Sequence, residues 1–178
     1  LAIRQGKFPK GTKETLLKQA HSKNPTTRFL ATLQLAGQNH EGMPAVLASV
    51  LAANSHDRWT RAAVFSATEN AASDLLDQLT ASPQRAHGDT LKSLGRIIGK
   101  GRPQQELLSA LRRHFGAKTP WPIASQIALL TGLADGVHGR KFSGTGKVNI
   151  FILSKDHPEA LTSIDLVFIA ARKSARSK

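Results

Sequence analysis

Cysteine is absent from the 178 residues, which excludes a disulfide framework, a thiolate metal site, a cysteine nucleophile and Cys-x-x-Cys-His haem attachment within them. Acid is scarce: 12 Asp and Glu stand against 25 Lys and Arg, giving a formal net charge of +13 and a pI near 10.8. No apolar run approaches the roughly 18 residues that cross a bilayer, so no membrane span is expected. The hydrophobic fraction of 40% is nonetheless enough for a core.

Motifs for chemistry are missing too. Seven histidines, His21, His40, His56, His87, His114, His138 and His157, fall at expected helix ends or loops, and none forms a His-x-x-x-His or His-Glu pair at ligand spacing. Gly144-Thr145-Gly146-Lys147 lacks the full phosphate-loop pattern, because Val148 stands where Ser or Thr is required. No serine sits in Gly-x-Ser-x-Gly, and Asp135 and Asp165 are lone helix aspartates, a type ordinarily solvated or capping. These absences leave no residue to nominate as catalytic, cofactor-binding or metal-ligating.

What is present is a repeated layout. Asn24-Pro25-Thr26-Thr27-Arg28-Phe29-Leu30-Ala31 and Asp57-Arg58-Trp59-Thr60-Arg61-Ala62-Ala63-Val64 each place a helix-capping residue four positions before an arginine, and an apolar helical run follows. The two arginines are 33 residues apart. A unit of that length cannot bury its own apolar side, so stacked helix pairs are expected.

Taken in order, residues 1–11 contain Gly6, Pro9 and Gly11 and read as a linker. Helices are expected over Thr12–His21, from the Asn24 cap to Gly37, over Gly42–Ala53, from the Asp57 cap to Glu69 or Asn70, and over Ala71–Ala81. Asp89 repeats the cap position 32 residues after Asp57, but Ser93 stands where the arginine should be, and Gly99 and Gly101 read as the helix end. Pro103 opens the next helix, through Leu107, Leu108, Leu111 and Phe115. Pro120-Trp121-Pro122 then starts a longer one, with Ile123, Ile127, Leu130 and Leu133 on one side and a stop near Gly136 or Gly139. Residues 140–147 read as a loop. Residues 148–153 are β-branched, yet their place in the array favours a short helix. Asp156 and Glu159 start the last helix, which runs through Ile164 and Val167 into a basic tail.

Five second-helix starts, near positions 24, 57, 89, 120 and 156, make the expected fold class all-α: one α-solenoid of about five stacked antiparallel helix pairs over 1–178, with a single irregular helical bundle as the alternative. Trp59 and Trp121, each at a helix start, are expected to pack between hairpins rather than to form a stacking platform.

The cap-plus-arginine signature resembles the HEAT-repeat family over residues 12–81, and the remainder only through hydrophobic spacing. The resemblance implies that Asn24 and Asp57 cap second helices while Arg28 and Arg61 form a ladder between units, making all four scaffold residues. A narrower likeness joins Asp57 to Val64 with Trp121-Pro122-Ile123-Ala124 and Leu130-Thr131-Gly132-Leu133-Ala134-Asp135-Gly136. That combination is similar to the helical section of large secreted, planctomycete-type bacterial proteins that also carry a dehydrogenase-like β-propeller and a c-type haem segment. It implies a periplasmic or secreted spacer that holds no haem itself. The opening Leu1-Ala2-Ile3-Arg4, without initiator methionine or signal peptide, is expected of a piece of a longer protein.

Two functions of different class follow. One is a non-catalytic scaffold that binds another protein or neighbouring domains of its own chain. The other is nucleic-acid binding through Lys92, Arg96, Lys100, Arg102, Arg112 and Arg113, against which stands only Glu106 in that stretch. Some DNA glycosylases are basic HEAT-like solenoids, but no aromatic cluster with a catalytic aspartate is found here. The basic groups also read as a solvated face.

Overall fold

The computed structural model describes residues 11–36, 42–68, 71–81, 87–115, 121–138, 140, 150 and 158–176. Among these residues the fold is all-α, with nine helices and no strand. The linker expected over 1–11, apart from Gly11, the loop beyond Arg140, the Gly37 stop and all but Ile150 of the 148–153 segment lie outside the described residues. The chain divides into two compact units, Leu1–His87 and Gly88–Lys178.

The first unit holds α1 (Thr12–Ala20), α2 (Pro25–Ala36), α3 (Met43–Ala53), α4 (Arg58–Ala67) and α5 (Ala72–Thr80). Glycine begins two of these helices: Gly11 and Gly42 take φ of 85° and 84°, the left-handed region where a Cβ is costly. Side chains begin two others. Asn24 Oδ1 accepts from the amides of Thr26 and Thr27, and Asp57 Oδ1 accepts from the amide of Trp59, so each satisfies donors that have no partner within the helix. Pro25 occupies the first helical position, where a missing N–H costs nothing.

Helices of the first unit pack on neighbours one or two places away in the order: α1 on α2, α2 on α3 and α4, α3 on α4 and α5. Leu35, Val50, Leu51, Val64, Leu75 and Leu76 are fully removed from water. Each buried leucine contributes about 1.5–3 kcal/mol relative to exposure, so the apolar stripes bring these short helices together. Helices of about ten residues are marginal in isolation, which makes tertiary packing the main source of their stability.

The second unit holds α6 (Gly88–Gly101), α7 (Gln104–His114), α8 (Ile123–Val137) and α9 (Pro158–Arg176). Here α6 packs on α8, and α9 packs on α7 and α8. Leu91, Leu94, Ile98, Leu108, Leu129, Val137 and Ile164 form its dry interior. Asp89 lies inside the first turn of α6 instead of capping it, because the helix begins one residue earlier at Gly88.

Glycine decides the α6–α8 contact. A Cβ built at Gly95 would meet the Leu129 carbonyl oxygen at 2.5 Å, and one at Gly99 would meet that of Leu133 at 2.5 Å. From the other side, a Cβ at Gly132 would collide with the Lys92 carbonyl, and one at Gly136 with the Arg96 carbonyl. The two backbones therefore touch. The contacts advance together along both sequences, so α6 and α8 run parallel. The helices end where the sequence puts them, α6 at Gly101 and α8 at Val137 beside Gly136, while Gly99 and Gly136 are contact residues as well.

Candidate interaction surfaces

Arg28, on the first turn of α2, points into the start of α4. Its Nη2 donates to Asp57 Oδ2 at 2.6 Å, its Nε donates to the same oxygen at 3.2 Å and to Thr60 Oγ1 at 3.0 Å, and its Nη1 donates to the Ser22 carbonyl at 2.8 Å. Thr60 Oγ1 in turn donates to Asp57 Oδ2 at 2.7 Å. The Arg28 and Asp57 side chains retain only 9% and 11% of their exposure. A charge pair this dry is tolerated because each guanidinium nitrogen donates and each carboxylate oxygen accepts at least one hydrogen bond.

Burial pushes the Asp57 carboxyl up. The hydrogen bonds from Arg28, Thr60 and the Trp59 amide, together with the Arg28 charge, outweigh it and hold the pKa at about 2 against an ordinary 3.8. Such a group is a fixed anion at every physiological pH, locked in structure and unsuited to proton transfer.

The local half of this arrangement, the cap and the arginine bond to a serine carbonyl, recurs 33 residues on. Arg61 donates to the Ser55 carbonyl as Arg28 does to that of Ser22, and Asp57 caps α4 as Asn24 caps α2. Thr60, which is fully buried, holds the place that Thr27 holds in the preceding pair. Neither Thr60 nor the serine carbonyls were named from sequence. The signal for them was the offset itself, applied to every polar residue around the arginines.

Beside this buried cluster lies an exposed one. Trp59 is 55% exposed and Leu30 50%, with the Arg58 guanidinium 4.6 Å from the indole centroid and the Phe29 ring edge-on to it at 6.1 Å. The expectation that both tryptophans pack between hairpins therefore separates. Trp121 is buried at 6% beside His114, their ring centroids 5.6 Å apart, whereas Trp59 stands largely in solvent because its helix position faces away from the core.

The six basic residues named from sequence fall into distinct settings. Lys92, Arg96 and Lys100 share one exposed face of α6. Arg102 pairs with Glu106 at 3.6 Å just past the end of that helix. Arg112 and Arg113 are exposed in the last turn of α7, where positive charge suits the helix dipole. Arg140, not named from sequence, donates to the carbonyls of Gly99 and Arg102 and so ties down the C-terminal end of α6. Burial lowers its pKa from the ordinary value.

Among the described residues no group of three His, Asp or Glu side chains is arranged to hold a metal ion, and no helix is long and apolar enough to cross a membrane. Compared with known proteins, the chain matches no family model, no curated protein and no solved structure.

Proposed function

We propose that the chain is a non-catalytic, HEAT-like helical scaffold whose function is to present a surface to another protein or to neighbouring domains of its own chain. The observation that carries this reading is the recurrence, at one 33-residue offset, of the residues serine, capping side chain, threonine and arginine, with the arginine bonded to the serine carbonyl each time. Arg28 uses that layout to reach from one helix pair to the start of the second helix in the next. Packing between elements one and two places apart, with second helices parallel, is also what ranked hairpins require.

In this reading Asn24, Arg28, Asp57 and Arg61 belong to the scaffold, and contact with a partner falls to what protrudes. Trp59, Arg58 and Leu30 are the candidates, since tryptophan and arginine are the side chains that dominate binding energy at protein interfaces. The narrower reading, a spacer in a secreted dehydrogenase-like and haem-associated protein, rests on the motifs around Asp57–Val64 and Trp121–Ala124. A propeller or Cys-x-x-Cys-His sequence in the same open reading frame tests it.

A photo-crosslinking residue placed at Trp59, with a second at exposed Gln78 on α5 as control, tests the surface in the producing cell. The proposal expects one dominant protein or same-chain domain captured from position 59 and none from position 78. Equal, diffuse labelling from both positions contradicts it.

A further inference from the structure

Lys92, Arg96 and Lys100 stand four residues apart on α6, and all three are exposed. At about 1.5 Å of rise per residue, successive cations are separated by about 6 Å along the helix axis. Like charges at that spacing repel and weaken the helix that bears them. The fold gains little in return. Arg96 and Lys100 make no ion pair among the described residues, and Lys92 reaches Asp135 only at 3.8 Å, between side chains that are each about half exposed.

The attitude of this face is set by the flank of α6 beside it, where Gly95 and Gly99 lie against the α8 backbone and where Gly132 and Gly136 of α8 meet the backbone of Lys92 and Arg96. Backbone contact leaves no rotamer to relax, so the three cations project from a stiff base. The face is also free of other chemistry. None of the exposed large apolar residues lies on α6, and the helix contains no aromatic residue on which a base could stack. Asp89 in the first turn and Asp135 on α8 are the acidic groups beside it. The unit that carries it, Gly88–Lys178, has fifteen Lys and Arg against six Asp and Glu, a formal +9, whereas Leu1–His87 has ten against six, a formal +4.

We infer that this face of α6 binds the phosphate backbone of a nucleic-acid duplex without reading its bases. A regular, apolar-free line of cations matches a regular line of phosphates. A bilayer surface would call for apolar side chains beside the charge, and a protein interface for an apolar centre. The inference does not depend on the scaffold reading, since it concerns residues of the other unit and a different partner.

Fluorescence anisotropy with a labelled mixed-sequence DNA duplex between about 50 and 200 mM salt provides the test. Three phosphate contacts predict a slope of log affinity against log salt of about −2.7, a loss of about 40-fold across that range. Arg96→Gln and Lys100→Gln each reduce the slope by about 0.9, and Lys18→Gln, an exposed cation of α1, leaves it unchanged. Circular dichroism of each variant confirms that the helices persist. Absence of binding at the lowest salt, a slope that ignores both α6 substitutions, or binding to phosphatidylserine vesicles without duplex binding overturns the inference.

Discussion

Each unit holds one pair of helices, two places apart in the chain, whose contact governs its packing, and the two pairs are joined by opposite means. Between α2 and α4 the contact is made by side chains: a guanidinium, a carboxylate and a hydroxyl, with the charge pair nine-tenths buried. Between α6 and α8 the side chains are removed, and backbone meets backbone at Gly95, Gly99, Gly132 and Gly136. The first solution tolerates distance, because arginine is long and its hydrogen bonds are directional. The second tolerates none. It follows that the two contacts fail differently when perturbed.

The largest effect is expected at the glycine contact. Gly132→Ala drives a Cβ into the Lys92 carbonyl, and because the obstacle is backbone it cannot swing aside. Overpacking of this kind costs about 3 kcal/mol or more, read as a lowered midpoint in thermal or denaturant unfolding. Gly101→Ala, where a Cβ meets nothing, leaves the midpoint unchanged or slightly raised. Equal tolerance of both substitutions would break the comparison.

Next in size is Arg28→Ala. It leaves the Asp57 carboxylate mostly buried without its counter-charge, a change that costs about 3 kcal/mol, and urea unfolding measures it. The pH dependence of the same pair is slightly smaller. Asp57 has a folded pKa of about 2 against 3.8, so the folded form binds protons more weakly than the unfolded form. The resulting stabilisation, about 2 kcal/mol, is fully present above pH 3.8 and is lost as pH falls towards 2. Comparing the unfolding of the parent and Asp57→Asn across that window isolates this contribution, which the variant lacks. The smallest effect is that of Arg61→Ala, which removes one guanidinium hydrogen bond to the Ser55 carbonyl and costs about 1 kcal/mol.

Helix positions were legible in the sequence because caps and apolar spacing are local. Asn24, Pro25, Asp57 and Pro103 mark helix starts that the structure places within a residue or so. The contact role of the glycines is not legible, for the same local reason. Gly99 and Gly136 carry the signal of a helix end, and only their partners four residues back, Gly95 and Gly132, distinguish a contact face from a stop. Trp59 and Ile127 show the limit of amphipathic pattern, since which flank of a stripe faces the core depends on the neighbouring helix; Ile127 is 37% exposed. The basic residues were legible as composition but not as a surface. Their division into an α6 face, a pair with Glu106 and the end of α7 follows from helix phase and from partners remote in sequence.

A double-mutant cycle on Arg28 and Asp57, using Arg28→Ala, Asp57→Ala and the double variant in urea unfolding, bears most directly on the claim that this pair joins consecutive helix pairs. A coupling of about 2 kcal/mol or more is predicted, because each single variant strands a buried partner that the double variant does not. Additive losses would mean that the two residues stabilise their own helices separately, and would contradict the account.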